Sequence, residues 1–180
     1  LATARVTESG SSVVAVSLGS DLHVFDANLR SLPGFPYRVE LGGVDGVVGA
    51  RAAPPVLVDL TGDGRVEVIW HEPAGTVHAV DLEGRTLPGW PLAGPSEPIS
   101  SPVVADLDGD GDLDLAVAGR FGNVVAIDTP ARDFEARIRG EVRVYDLDVP
   151  ASAYAPWPQA GGDAGARVLP RNAVREGSVG

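Results

Sequence analysis

Asp106-Leu107-Asp108-Gly109-Asp110-Gly111-Asp112-Leu113-Asp114-Leu115 stands between two apolar runs, Pro102-Val103-Val104-Ala105 before it and Ala116-Val117-Ala118 after it. The same order occurs earlier as Pro55-Val56-Leu57-Val58-Asp59-Leu60-Thr61-Gly62-Asp63-Gly64-Arg65-Val66-Glu67-Val68. Asp59 and Asp106 are separated by 47 residues, and the same offset carries Gly75 onto Gly122 and Asp81 onto Asp128. Each unit therefore reads apolar strand, Asp/Gly loop, apolar strand, Gly turn, and apolar strand ending in Asp. A repeat of this length with several short strands per unit has the spacing of propeller blades, whose radial repetition leaves only short, protected sheet edges.

A third copy lies nearer the start. His23-Val24-Phe25-Asp26 matches His78-Ala79-Val80-Asp81, and both units end in a Leu-Pro-Gly-aromatic-Pro run, Leu32-Pro33-Gly34-Phe35-Pro36 and Leu87-Pro88-Gly89-Trp90-Pro91. In this copy Thr3 to Glu8 reads as the first strand, Ser9 to Ser12 as a short turn, and Val13 to Leu18 as the second strand. The expected architecture is all-β, with three four-stranded antiparallel blades at about 2–38, 54–93 and 101–148 inside a propeller portion spanning 1–160, and a C-terminal tail at 161–180. In the last blade a charged insertion, Thr129 to Gly140, delays the fourth strand to Val142-Arg143-Val144-Tyr145-Asp146. Three blades do not close a ring, since propellers typically have four to eight. The chain is then a partial propeller or one half of an assembled ring, completed by other chain segments or by self-association through its open edges.

Composition narrows the function. The formal net charge of −11 and the absence of a basic run argue against nucleic acid and anionic lipid. No eighteen apolar residues run together, so a membrane span is not expected. There is no Cys, which excludes a disulfide framework and thiolate metal sites. A start at Leu1 and the lack of any Met read as a processed or excised segment.

The Asp-rich loop carries the chemistry. Asp106, Asp108, Asp110 and Asp114 fall at positions 1, 3, 5 and 9, and Asp112 at position 7 can offer its backbone carbonyl. Calcium takes six to eight oxygens, and alternate carboxylates on a tightly curled loop point at one centre. Without a cation, two carboxylates about 5 Å apart repel by roughly 3 kcal/mol at an effective dielectric near 20. The corresponding set in the second unit is Asp59, Thr61, Asp63 and Glu67, with the Arg65 carbonyl; a hydroxyl replaces one carboxylate, so weaker binding is expected. The first unit has no such loop. A helix-flanked calcium hand would require Glu at position 12, where Val117 stands. The plain reading of either loop is a Gly/Asp turn that binds nothing.

The segment Asp106 to Leu115, followed by Ala116-Val117-Ala118-Gly119, resembles the FG-GAP or VCBS-type repeat of integrin-α-like propellers. The endings at 32–36 and 87–91 resemble blade ends of bacterial secreted members, and Val144-Tyr145-Asp146-Leu147 with Pro156-Trp157-Pro158 resembles the closing blade of such chains. The resemblance implies a calcium-loaded propeller, extracellular or on a cell surface, attached in many members to an adhesive or catalytic domain.

Phe35, Trp90 and Trp157 could stack on sugars, but their fixed repeat positions favour packing between blades. His23 and His78 occupy matching positions, which favours a structural role. His71 adjoins Glu72 without a second His at zinc spacing, and there is no Gly-x-Ser-x-Gly elbow. The expected function is a non-catalytic calcium-binding module that holds a protein or glycan, for adhesion or as an accessory domain of a secreted protein. The alternative is part of a propeller enzyme acting on extracellular polysaccharide.

Overall fold

The computed structural model describes residues 2–5, 12–19, 21–39, 52–121 and 139–152. Regular structure among them is all β, in three antiparallel sheets. Sheet 1 runs in chain order through β1 (Ala2–Arg5), β2 (Ser12–Leu18), β3 (Asp21–Asp26) and β4 (Tyr37–Arg38). Sheet 2 does the same through β5 (Val56–Val58), β6 (Glu67–His71), β7 (Thr76–Val80) and β8 (Leu92–Ala93). Sheet 3 comprises β9 (Val103–Ala105), β10 (Asp112–Phe121) and β11 (Arg139–Pro150), with β10 in the middle. The described strands form no closed ring. No helix among the described residues is long and apolar enough to cross a membrane.

The strands are β-branched and Leu-rich, as a pleated, buried surface favours, and acidic residues fix the turns between them. Asp26 closes β3 by accepting the N–H groups of Asn28 and Arg30, both at 2.8 Å. Asp81 repeats this at the end of β7 with Glu83 and Arg85, both at 2.9 Å. These are Asx-type turns, in which a short carboxylate stands in for backbone acceptors. Glu72, buried, does similar work between β6 and β7 by accepting from Ala74 and Thr76.

Two cores lie between the sheets. Val13, Ala15, Leu22 and Val24 of sheet 1 pack on Leu57, Val66, Val68, Trp70 and Val80 of sheet 2. The opposite face of sheet 2, Val56, Val58, Ile69, Val77 and Ala79, packs on Val104, Leu113, Leu115, Val117 and Val149 of sheet 3. Sheet 2 is thus covered on both faces, and every residue of β6 is buried. By contrast, β2 and β11 alternate between buried or half-buried and more exposed residues, because only one face of each is covered. Phe35 packs against the first core and Trp90 against the second, as their repeat positions indicate; Trp157 lies outside the described residues.

One element differs from expectation. The segment read as a delayed fourth strand pairs directly with β10, in register Asp114↔Asp146, Ala116↔Val144 and Ala118↔Val142, so sheet 3 has three strands among the described residues. The physical reason is length: β11 runs for twelve residues and can ladder along almost all of β10. The insertion read at 129–140 is described only from Arg139, which already belongs to β11, and the tail at 161–180 lies outside the described residues.

Candidate metal centre

The turns that leave β5 and β9 are the two Asp/Gly loops, and they are built alike. In each, an acidic residue near the start of the following strand, first in β6 and third in β10, reaches back to the Leu that starts the loop: Glu67 Oε2 accepts the Leu60 N–H at 2.7 Å, and Asp114 Oδ2 accepts the Leu107 N–H at 2.8 Å. Both acids are buried, 4% and 7% exposed, so their backbone partners offset part of the cost of desolvation. Each loop has two glycines in the left-handed region, Gly62 and Gly64 in one and Gly109 and Gly111 in the other, which lets the chain curl around a centre.

In the sheet 3 loop, carboxylate oxygens of Asp106, Asp108 and Asp114 lie within 4.8 Å of one another. Asp106 and Asp108 are exposed and also brace the loop, accepting from Gly109 at 2.7 Å and Asp110 at 3.1 Å. Asp110 accepts from Asp112 at 2.9 Å and is not among the three that converge. The Asp112 carboxyl is pushed above the usual carboxylate range, by desolvation first and then by Asp110, Asp148, Asp146 and Asp106.

The sheet 2 loop is organised differently. Asp59, 3% exposed, accepts from Thr61 at 3.2 Å, Gly62 at 2.7 Å and Gly64 at 2.8 Å, so its carboxylate is spent on amides. Asp63 accepts from Arg65, whose guanidinium pairs with Glu83 at 2.8 Å. Burial pushes the Glu67 carboxyl up to about 7, against the lowering effect of its bond from Leu60, with Asp59 and Asp63 raising it further. Asp59, Asp63 and Glu67 do not converge as the Asp106 set does.

Asp146 and Asp148 were not expected at this site. They come from β11, whose register puts Asp146 opposite Asp114. Asp148 also lines a cleft with Asp59, Leu60, Thr61 and Gly62, between the Asp59 loop and the end of β11. Their signal in the sequence was the alternation Asp146-Leu147-Asp148, which places both carboxylates on one face of a strand. It pointed nowhere without the β10–β11 register.

The other candidates resolve as structure. His78 is 5% exposed at the sheet 1–sheet 2 core, stacked on Trp70 with centroids 5.5 Å apart and edge-on to Tyr37. Burial lowers its pKa. His71 meets the Pro95 carbonyl at 2.8 Å, is lowered likewise by burial, and faces the other core. His23 stacks on Phe25 at 6.0 Å.

The donors that meet at Asp106, Asp108 and Asp114 are all oxygen and all anionic, on a loop bent by glycine, which is the donor set a hard divalent cation takes. No curated protein and no solved structure matches the chain. Residues 59–117 match the family model described as FG-GAP-like repeat. Repeats of this family form β-propellers, and the matched stretch, from the Asp59 loop through most of β10, is similar to such a repeat, in keeping with the all-β, several-sheet architecture of the described residues.

Proposed function

We propose that this chain is a calcium-binding propeller module, extracellular or at a cell surface, that holds a protein or carbohydrate ligand and performs no catalysis of its own. The observation that carries the reading is the convergence of Asp106, Asp108 and Asp114 within 4.8 Å. Asp110 and the Asp112 carbonyl would complete the set at the stronger site. Asp59, Thr61, Asp63, Glu67 and the Arg65 carbonyl would form a weaker one, because Asp59 must first release amides that it already binds. A bound cation would neutralise the loop and fix the end of sheet 3 that it joins to Asp146 and Asp148. Chelated carboxylates are poor general acids, since the cation holds them ionised.

Calcium at about one hundred times its dissociation constant should stabilise the fold by about 2.7 kcal/mol. For a chain of this size that is a rise in Tm of about 5–10 °C. Thermal unfolding with calcium and with a chelator measures it. Asp108→Ala combined with Asp110→Ala should abolish the rise, and an unchanged Tm in the wild type would remove the basis of the proposal.

The Glu67 carboxyl gives a separate check on the weaker loop. Its pKa is raised from 4.5 to about 7 by burial, so without a cation its contribution to stability is present at low pH and is lost as pH rises through about 7. Calcium must displace that proton. Binding at about pH 6 should therefore release close to one proton through Glu67, and almost none at about pH 8. Titration calorimetry in two buffers of different ionisation enthalpy reads the difference; Glu67→Gln should abolish it.

A further inference from the structure

His78 is a titratable group that the candidate metal centre does not use. It projects from the middle of β7 into the core between sheets 1 and 2 and is 5% exposed. Trp70 stacks on its ring, with centroids 5.5 Å apart, and Tyr37 of β4 meets it edge-on at 5.7 Å. Neither ring nitrogen has a hydrogen-bond partner among the described residues. A neutral imidazole carries one N–H and one lone pair, whereas a charged one carries two N–H groups. The site therefore holds the neutral ring with one donor unmet, and a second proton would add a buried charge and another unmet donor.

The titratable neighbours supply no acceptor. Glu72 is occupied by the N–H groups of Ala74 and Thr76, and His71 faces the other core, where it meets the Pro95 carbonyl. The Tyr37 hydroxyl pairs with Thr86 Oγ1 at 3.1 Å. Burial lowers the His78 pKa; Glu72 opposes this and His71 adds to it. The two rings that cover His78 are held unequally. Trp70 lies in β6, which ladders to β5 on one side and β7 on the other. Tyr37 is only half-buried, and β4 is two residues long, pairing among the described residues with β3 alone through Asp21↔Arg38 and Leu22↔Tyr37. Beyond that ladder, its side chains are tied by the Tyr37–Thr86 bond and by a largely exposed Arg38–Asp21 pair at 3.4 Å, a kind of contact that contributes about 0–1 kcal/mol.

We propose that β4 is an acid-sensitive latch on the junction of sheets 1 and 2: when His78 takes up a proton, Tyr37 leaves its ring and β4 detaches from β3. In the closed form the proton is excluded, and in the open form His78 regains the ordinary imidazole value of about 6.5. The closed form is thus fully favoured above about pH 6.5, and the open-to-closed ratio rises about tenfold for each pH unit below it, until the closed form itself binds a proton. The latch needs neither calcium nor any residue of the Asp/Gly loops. Glu67, raised to about 7, has the opposite sign, since its stabilising form is the protonated one, so a local readout keeps the two apart.

Amide hydrogen exchange of the 180-residue chain, read residue by residue by NMR between about pH 5 and 8, is the test. Protection factors of the amides that pair β3 with β4 should fall about tenfold per pH unit below about 6.5, while those of β6 hold. His78→Phe and His78→Leu should each flatten the β4 profile; two replacements of different shape guard against one that fails to fold. Tyr37→Phe keeps the ring and loses only the bond to Thr86, so opening should rise about two- to tenfold at every pH with the slope retained. A wild type whose β4 protection does not change with pH, a slope that survives in the His78 variants, or β6 amides that lose protection in parallel with β4 would each overturn the latch.

Discussion

Trp70→Ala is expected to cost about 3–5 kcal/mol, the range for emptying a large aromatic site in a packed core. Trp70 is fully buried on the back of sheet 2, among the residues that meet sheet 1, and its ring stacks on His78 at 28°. Removing it leaves a void that β-strands on both sides cannot collapse into, because their positions are set by ladders to their own sheets. It also leaves His78 without the ring that covers it. Trp70→Phe separates volume from polarity. The indole Nε1–H has no partner among the described residues, and burying such a donor costs about 1–3 kcal/mol. Phenylalanine keeps an aromatic face and removes that donor, so the lost volume and the relieved orphan oppose each other, and the variant should lie within about 1.5 kcal/mol of wild type. Urea unfolding at constant m-value measures both; a Trp70→Ala midpoint near the wild type would mean that sheets 1 and 2 do not share a core.

That core was only half legible in the sequence. The Asp/Gly loops and their 47-residue spacing announced short strands, turns and a repeat, because loop chemistry is local and the strands beside it are apolar runs. The matching Asp26 and Asp81 were visible as strand ends for the same reason. The identity of the most buried sheet was not visible as such, since Trp70 and His78 look like any apolar or half-polar strand residues until sheets cover both sides. The place of β11 was less visible still. Which segment fills a ladder position is a competition between pairings far apart in the chain, and repeat counting put Val142 to Asp146 one strand further out than the structure does. Asp146 and Asp148 went unnoticed at the candidate metal centre as a consequence of that register. The loop ligands had a spacing to announce them, and these two had only a neighbour.

Gly34→Ala should destabilise by about 3 kcal/mol, and Gly89→Ala by clearly less, although the two glycines hold the same place in their repeats. Each stands third in a Leu-Pro-Gly-aromatic-Pro run and each is left-handed, at φ 83° and 84°. A Cβ in that region costs about 1–2 kcal/mol at either site. The surroundings differ. A Cβ on Gly89 would meet nothing within 4 Å, whereas one on Gly34 would run into the backbone of the turn after β7, clashing with the Glu83 carbonyl oxygen and lying 2.8 Å from its carbon and 3.1 Å from the Gly84 Cα. Those atoms are main chain, held by Asp81 through the N–H groups of Glu83 and Arg85, so they cannot swing aside as a flexible side chain would. Overpacking of this kind adds about 1–3 kcal/mol. The close approach runs both ways, since a Cβ on Gly84 would stand 2.7 Å from the Gly34 carbonyl oxygen. Gly84→Ala should therefore resemble Gly34→Ala rather than Gly89→Ala. Equal losses at Gly34 and Gly89 in denaturant unfolding would show that left-handed strain alone is at work, and that the ends of sheets 1 and 2 are not in backbone contact.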